Sequence, residues 1–97
     1  MALYLVSYDI AEKNDDYQSL WDYLEELGAV RILYSEWATP FTGSAVELVK
    51  KLAEHVKKGD RLLACELFNS PSVAWLNLKI SVDEFKKLLR DHARGLN

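Results

Sequence analysis

The stretch LYLVSYDIAEKNDDY, residues 3–17, decides the fold. Its first six residues read as a strand. Tyr4, Val6 and Tyr8 fall on one face, Leu3, Leu5 and Ser7 on the other, and Asp9 is in phase with the second set. A strand that is apolar on both faces must be covered on both. It ends on a carboxylate, Asp9, and Glu12, Asp15 and Asp16 follow closely with only Lys13 to offset them.

The punctuation downstream of this strand defines the remaining elements. Asn14, Asp15 and Asp16 supply the cap and first turn of a helix, where acids suit the positive end of the helix dipole. Tyr17, Leu20, Trp21, Leu24 and Leu27 recur at three- and four-residue steps as its buried stripe, and Gly28 closes it. AVRILYSEWATPF, residues 29–41, is too long for one strand, since about five or six residues is usual. It reads as two strands bent near Tyr34 and Ser35, with Pro40 at an edge or at the end of pairing. A second helix starts on the capping box Ser44–Glu47. Its stripe is Ala45, Val49, Leu52, Ala53 and Val56, and Gly59 closes it.

DRLLACELF, residues 60–68, is another strand that is apolar on both faces. NSPS, residues 69–72, is the evident linker. VAWLNLKI, residues 73–80, alternates as a strand, with Ala74, Leu76, Leu78 and Ile80 opposite Val73, Trp75, Asn77 and Lys79. A third helix follows from the capping box Ser81–Glu84, with Val82, Phe85, Leu88 and Leu89 as its stripe and Gly95 at its end.

The order through residue 68 is strand, helix, strand, strand, helix, strand. That is the split βαβ arrangement of an α+β, ferredoxin-like sandwich, with two helices on one face of an antiparallel sheet. Residues 73–95 add a C-terminal strand and helix to this core, residues 1–68, within a single domain, residues 1–97. Two helices cover one face, yet the strands at 3–8 and 62–68 are apolar on both. The second face requires either the C-terminal segment or a second subunit, and the homodimer is the favoured reading. With NSPS as a hinge, residues 73–95 could exchange between the two subunits.

Composition agrees with an ordinary globular protein: 49% hydrophobic and 28% charged over 97 residues. No apolar run approaches the ~20 residues of a membrane helix, which predicts no membrane partner. The N-terminus lacks a basic segment before an apolar one, so no secretory signal is expected. The single cysteine, Cys65, allows no internal disulfide and no zinc spacing, and it reads as a small buried hydrophobe. These features point to a reducing, cytoplasmic location. The net charge of −3 is uneven. Residues 1–40 carry eight acids against Lys13 and Arg31, a balance of −6, and residues 41–97 carry seven acids against ten bases, a balance of +3. Most of the lysines fall at helical spacing, as on a solvated helix face.

Taken in order, YLVSYDI with its terminal Tyr8-Asp9, the helix closed by Gly28, VRILYSEWATPF, the capped second helix and DRLLACELF form a set. Over residues 3–68 this set resembles the CRISPR-associated protein 2 family of small ferredoxin-like dimers. VapD-type toxin ribonucleases share the layout. The resemblance implies a catalytic and metal-ligating role for Asp9, the one position that carries over. Its two copies would approach across a dimer axis and hold Mg²⁺ or Mn²⁺ for phosphodiester hydrolysis, an endonuclease activity on nucleic acid. It also implies a structural role, in which the dimer bridges integrase-type protein partners during spacer acquisition. This chain departs from the family in two places. Lys13 stands alone where several basic residues commonly follow the Tyr-Asp, and Leu33 and Tyr34 precede Ser35 where a Gln is usual.

Read from the residues alone, Asp9 is either a hard oxygen ligand for a divalent ion or an acceptor of backbone N–H bonds in the loop after the strand. Glu12, Asp15 and Asp16 read as cap and solvent charges, and Glu36 reads as an exposed strand residue or a helper at a metal. His55 reads as solvated and His92 as skirting the core boundary. Trp21 belongs to a helix stripe. Trp37 and Trp75 fit strand packing or dimer contact, the alternative being stacking on bases. Three functions therefore stand in order: a metal-dependent nuclease, a non-catalytic adaptor favoured by the acidic first half, and a toxin ribonuclease.

Overall fold

The computed structural model describes residues 1–11 and 17–95. The expected cap residues Asn14, Asp15 and Asp16, together with Glu12 and Lys13, lie outside the described residues. The elements are β1 (Ala2–Asp9), α1 (Gln18–Glu26), β2 (Val30–Leu33), β3 (Glu36–Phe41), α2 (Ala45–Ala53), β4 (Arg61–Leu67) and α3 (Val82–His92). The sheet runs β2-β3-β1-β4, and every neighbouring pair is antiparallel. The fold is α+β and ferredoxin-like, with an additional C-terminal helix.

β1 is central because its two-sided apolar pattern suits no edge position. Tyr4, Val6 and Tyr8 pack with Trp37 on one face, beneath Leu20 and Leu24 of α1 and Leu48 and Leu52 of α2. Leu3 lies on the other face, with Ile32, Ala38, Phe85 and Leu89. At Gly28 the backbone turns to φ 82°, a left-handed value suited to glycine, and the Ala29 N–H bonds back to Leu24 to end α1. The bend at Tyr34 and Ser35 is a turn between β2 and β3, with a register shift between Arg31 and Leu33. Pro40 pairs with Leu3 on one side only, because β2 reaches no further along β3 than Ala38. Its missing N–H therefore costs no ladder bond.

Four expectations are corrected. Residues 73–80 form no strand. Asn77 adopts φ 54°, and this left-handed step breaks the alternation. Val73 and Trp75 before it, and Leu78 and Ile80 after it, all turn toward the sheet, while Leu76 is 83% exposed. One hydrogen bond, Lys79 N–H to the Ile32 carbonyl at 2.9 Å, stands where a ladder was expected. Second, α2 buries Leu48 and Leu52, whereas Ala53 is exposed and ends the helix well before Gly59. Third, Val82 is 53% exposed, leaving Phe85 and Leu89 as the buried residues of α3.

The fourth correction is Cys65, which is exposed. The second sheet face is covered only in part. α3 and residues 73–80 close over Leu3, Ile32 and Ala38. Toward the Asp9 end, Leu63 stays 60% exposed beside Cys65. The cover is fastened at its far end, where Arg94 donates two hydrogen bonds of 2.6 Å to the Glu66 carboxylate. Those bonds hold the Glu66 carboxyl below its ordinary value, against the opposing effect of partial burial. The Asn69 N–H also bonds to the Arg94 carbonyl.

Thr39 is fully buried opposite Tyr4, and its hydroxyl has no hydrogen-bond partner. A buried, unmet hydroxyl is destabilising, and valine keeps the shape without it. Thr39→Val is expected to stabilise the fold by about 1 kcal/mol. In thermal unfolding this appears as a rise of roughly 4–8 °C. A fall in melting temperature would contradict it.

Candidate functional site

β1 delivers two adjacent side chains to opposite faces of the sheet at its carboxyl end. Asp9 points to the second face. It stands opposite Arg61 of β4, whose guanidinium donates to Asp9 Oδ2 at 3.0 Å. Both side chains are well exposed, at 69% for Asp9 and 81% for Arg61. An ion pair this open to water exchanges readily with solvent or another ion. Among the described residues Asp9 thus accepts from a side chain of β4. Glu36 reaches the same face of the sheet, opposite Ser7, and is half-buried. Among the described residues, no group of three His, Cys, Asp or Glu side chains gathers where a metal ion could be held.

Tyr8 points to the helix face and is buried. Its hydroxyl oxygen accepts from Trp21 Nε1 at 3.1 Å, Trp37 Nε1 at 3.1 Å and Arg31 Nη2 at 3.0 Å. Three donors converge on an oxygen with two lone pairs, so α1, β2 and β3 are all tied to the end of β1. Arg31 is half-buried on β2 opposite Trp37. Its guanidinium carbon lies 5.1 Å from the Trp21 ring centre, 5.1 Å from Trp37 and 5.7 Å from Tyr34, each within cation–π range. A cavity of about 350 Å³ opens here, lined by Tyr8, Asp9, Tyr17, Trp21, Arg31 and Tyr34 among others.

Asp60 braces this corner from below. Its Oδ1 accepts from the Ala11 N–H at 2.9 Å and from the Tyr17 hydroxyl at 3.0 Å, and its Oδ2 accepts from the Lys57 N–H at 2.8 Å. Partial burial alone would raise the Asp60 carboxyl. The three hydrogen bonds and the Lys57 charge outweigh it and hold the group below its ordinary value.

The remaining expected residues are dispersed. His55 is not simply solvated. Its Nδ1 lies 2.7 Å from Ser19 Oγ and its ring stacks on Tyr23 at 4.7 Å, bridging α1 to the end of α2. His92 sits at the boundary, with Nδ1 3.3 Å from Met1 Sδ. Trp75 packs edge-on against Phe85 at 4.7 Å and is partly buried against the core. Trp37 is buried on the Tyr8 network. Arg31, Tyr34 and Asp60 had not been singled out for the site. Arg31 did carry a signal, being a lone arginine inside an apolar strand of an acidic half.

No protein-family model matches the chain, and no solved structure matches it.

Because the folded-state value of Asp60 is depressed, the stabilisation it provides is present above its unfolded value, about 3.9. That stabilisation is lost as pH falls through the folded value. Asp60→Asn is therefore expected to melt below the wild type at neutral pH, with the gap closing below about pH 4. Thermal unfolding recorded against pH tests this, and a gap of constant size down to strongly acid pH would contradict it.

Proposed function

We propose that this chain acts as a homodimeric nucleic-acid protein similar to CRISPR-associated protein 2, with a Mg²⁺- or Mn²⁺-dependent phosphodiesterase centre at paired Asp9 carboxylates. The observation that carries this reading is the position of Asp9. It lies exposed at the uncovered end of the sheet's second face, next to the exposed Leu63 and Cys65. Two copies packed through that strip about a two-fold axis would bury the apolar residues and bring both carboxylates to one seam. A standard interface takes roughly 800 Å² from each partner, so the seam would draw in neighbouring surface of β1 and β4 as well.

One Asp9 is a poor metal site, and two suit a small hard cation that keeps several waters and takes one or two carboxylates. The ion would supply charge stabilisation on phosphoryl oxygen and an activated water. The protein's own part is positional. β1 holds Asp9 at a strand end fixed by Tyr8, and Arg61 would leave Asp9 for a phosphate oxygen, which a guanidinium can bind in fork geometry.

A second reading has its own observation. In a single chain Asp9 is already matched by Arg61, and the first half of the sequence is acidic. Both suit a non-catalytic dimeric adaptor that presents its surfaces to protein partners of the integrase type.

Light scattering at micromolar protein is expected to show a dimer for the wild type and single chains for Leu63→Glu. Asp9→Asn is expected to remain folded and dimeric, yet to lose Mn²⁺-dependent cleavage of RNA and DNA by at least about a hundredfold, the upper range seen when groups supporting metal ligands are removed. A monomeric wild type would refute the shared site. Dimers with no metal-dependent cleavage would favour the adaptor.

A further inference from the structure

We propose that the cavity at Arg31 binds a nucleoside monophosphate, with its phosphate on the guanidinium and its base against Tyr34 and Trp21. The cavity lies on the helix side of the sheet and is built mainly from side chains that the Asp9 reading does not use.

Four observations converge on this cavity. Arg31 is held by three rings and one hydroxyl but by no carboxylate among the described residues. Asp9, which also lines the cavity, gives its Oδ2 to Arg61 instead. Second, Arg31 Nε is buried without a hydrogen-bond partner, so the protein leaves this cation incompletely satisfied. Buried polar groups are otherwise almost always paired. Third, Tyr34 is 85% exposed, a large aromatic ring at the cavity mouth placed for a planar ligand to stack on. Fourth, the cavity volume of about 350 Å³ is at the small end of small-molecule sites.

Charge narrows the ligand class. A long polyanion would need a track of cations, and the first forty residues offer a balance of −6. One guanidinium matches one phosphate group, and the flanking rings match one base. The required chemistry is a phosphate monoester on a nucleoside, whether free or at the end of a strand.

The test is a titration of the full chain in EDTA, followed by Trp21 and Trp37 fluorescence and by calorimetry. Adenosine and uridine monophosphates are compared with the bare nucleosides and with inorganic phosphate. Saturable binding of at least one monophosphate is expected, with its nucleoside and inorganic phosphate each about tenfold weaker or more, since each lacks a charge-assisted hydrogen bond or a stacking face. Arg31→Met should abolish the phosphate preference. Tyr34→Ala, at an exposed turn position, should weaken binding severalfold. A 5′-phosphorylated oligonucleotide binding more tightly than the mononucleotide would assign the site to strand ends, and equal or weaker binding would assign it to the free nucleotide. No saturation at millimolar monophosphate overturns the proposal. So does affinity that Tyr34→Ala leaves unchanged. Without a divalent ion present, neither result depends on whether Asp9 holds a metal.

Discussion

Everything in this molecule depends on the burial of β1 from both sides. Its register with β3 and β4 fixes the sheet, and its two apolar faces each require a separate cover. Leu3 and Val6 are both completely buried, on opposite faces of one strand. Each fully buried aliphatic side chain is worth roughly 1.5–3 kcal/mol relative to exposure, and a slip of one residue would turn the Tyr8 hydroxyl away from its three donors and Asp9 away from Arg61. The chemistry at the end of the strand inherits that rigidity. Tyr8 and Asp9 are adjacent in sequence, so the pleat sends one into an aromatic network and the other into solvent on the far face.

The Tyr8 hydroxyl converts this strand geometry into a braced corner. Donors from α1, β2 and β3 meet on it, and Asp60 ties the residues on either side of the β1–α1 connection to the start of β4. Arg31 is the unusual member, a cation packed among rings and one hydroxyl. Rings attract a cation without neutralising it, so its charge is still available to an anion. A salt bridge would have cancelled it. Among the described residues no carboxylate pairs with Arg31, so this corner keeps its charge.

Much of the fold was legible from pattern alone. The two-sided strand, the capping boxes at Ser44 and Ser81 and the bend at Tyr34 all report local physics that the tertiary structure keeps. The failures occur where tertiary context overrides a local pattern. VAWLNLKI alternates like a strand, but its only backbone bond to the sheet is at Lys79, and Asn77 reverses which side chains face inward. Cys65 looked like a core residue because its neighbours are apolar, yet the cover stops short of it. Asp9 was correctly expected at a strand end. Its partner Arg61 was invisible because cross-strand pairing joins positions 52 apart in sequence. The Arg31 network escaped for the same reason: no periodicity along the chain brings Trp21, Arg31 and Trp37 onto one hydroxyl.

The sheet separates two cores that share only β1 and its neighbours. The core beneath α1 and α2 is closed by helices whose connections are embedded in the βαββαβ order. The other is closed by a segment joined through one linker and fastened at its far end by the Arg94–Glu66 pair and the Asn69–Arg94 bond. The two therefore need not come apart together. Backbone amides of α3 are accordingly expected to exchange with solvent ahead of those in β1, which is buried from both sides.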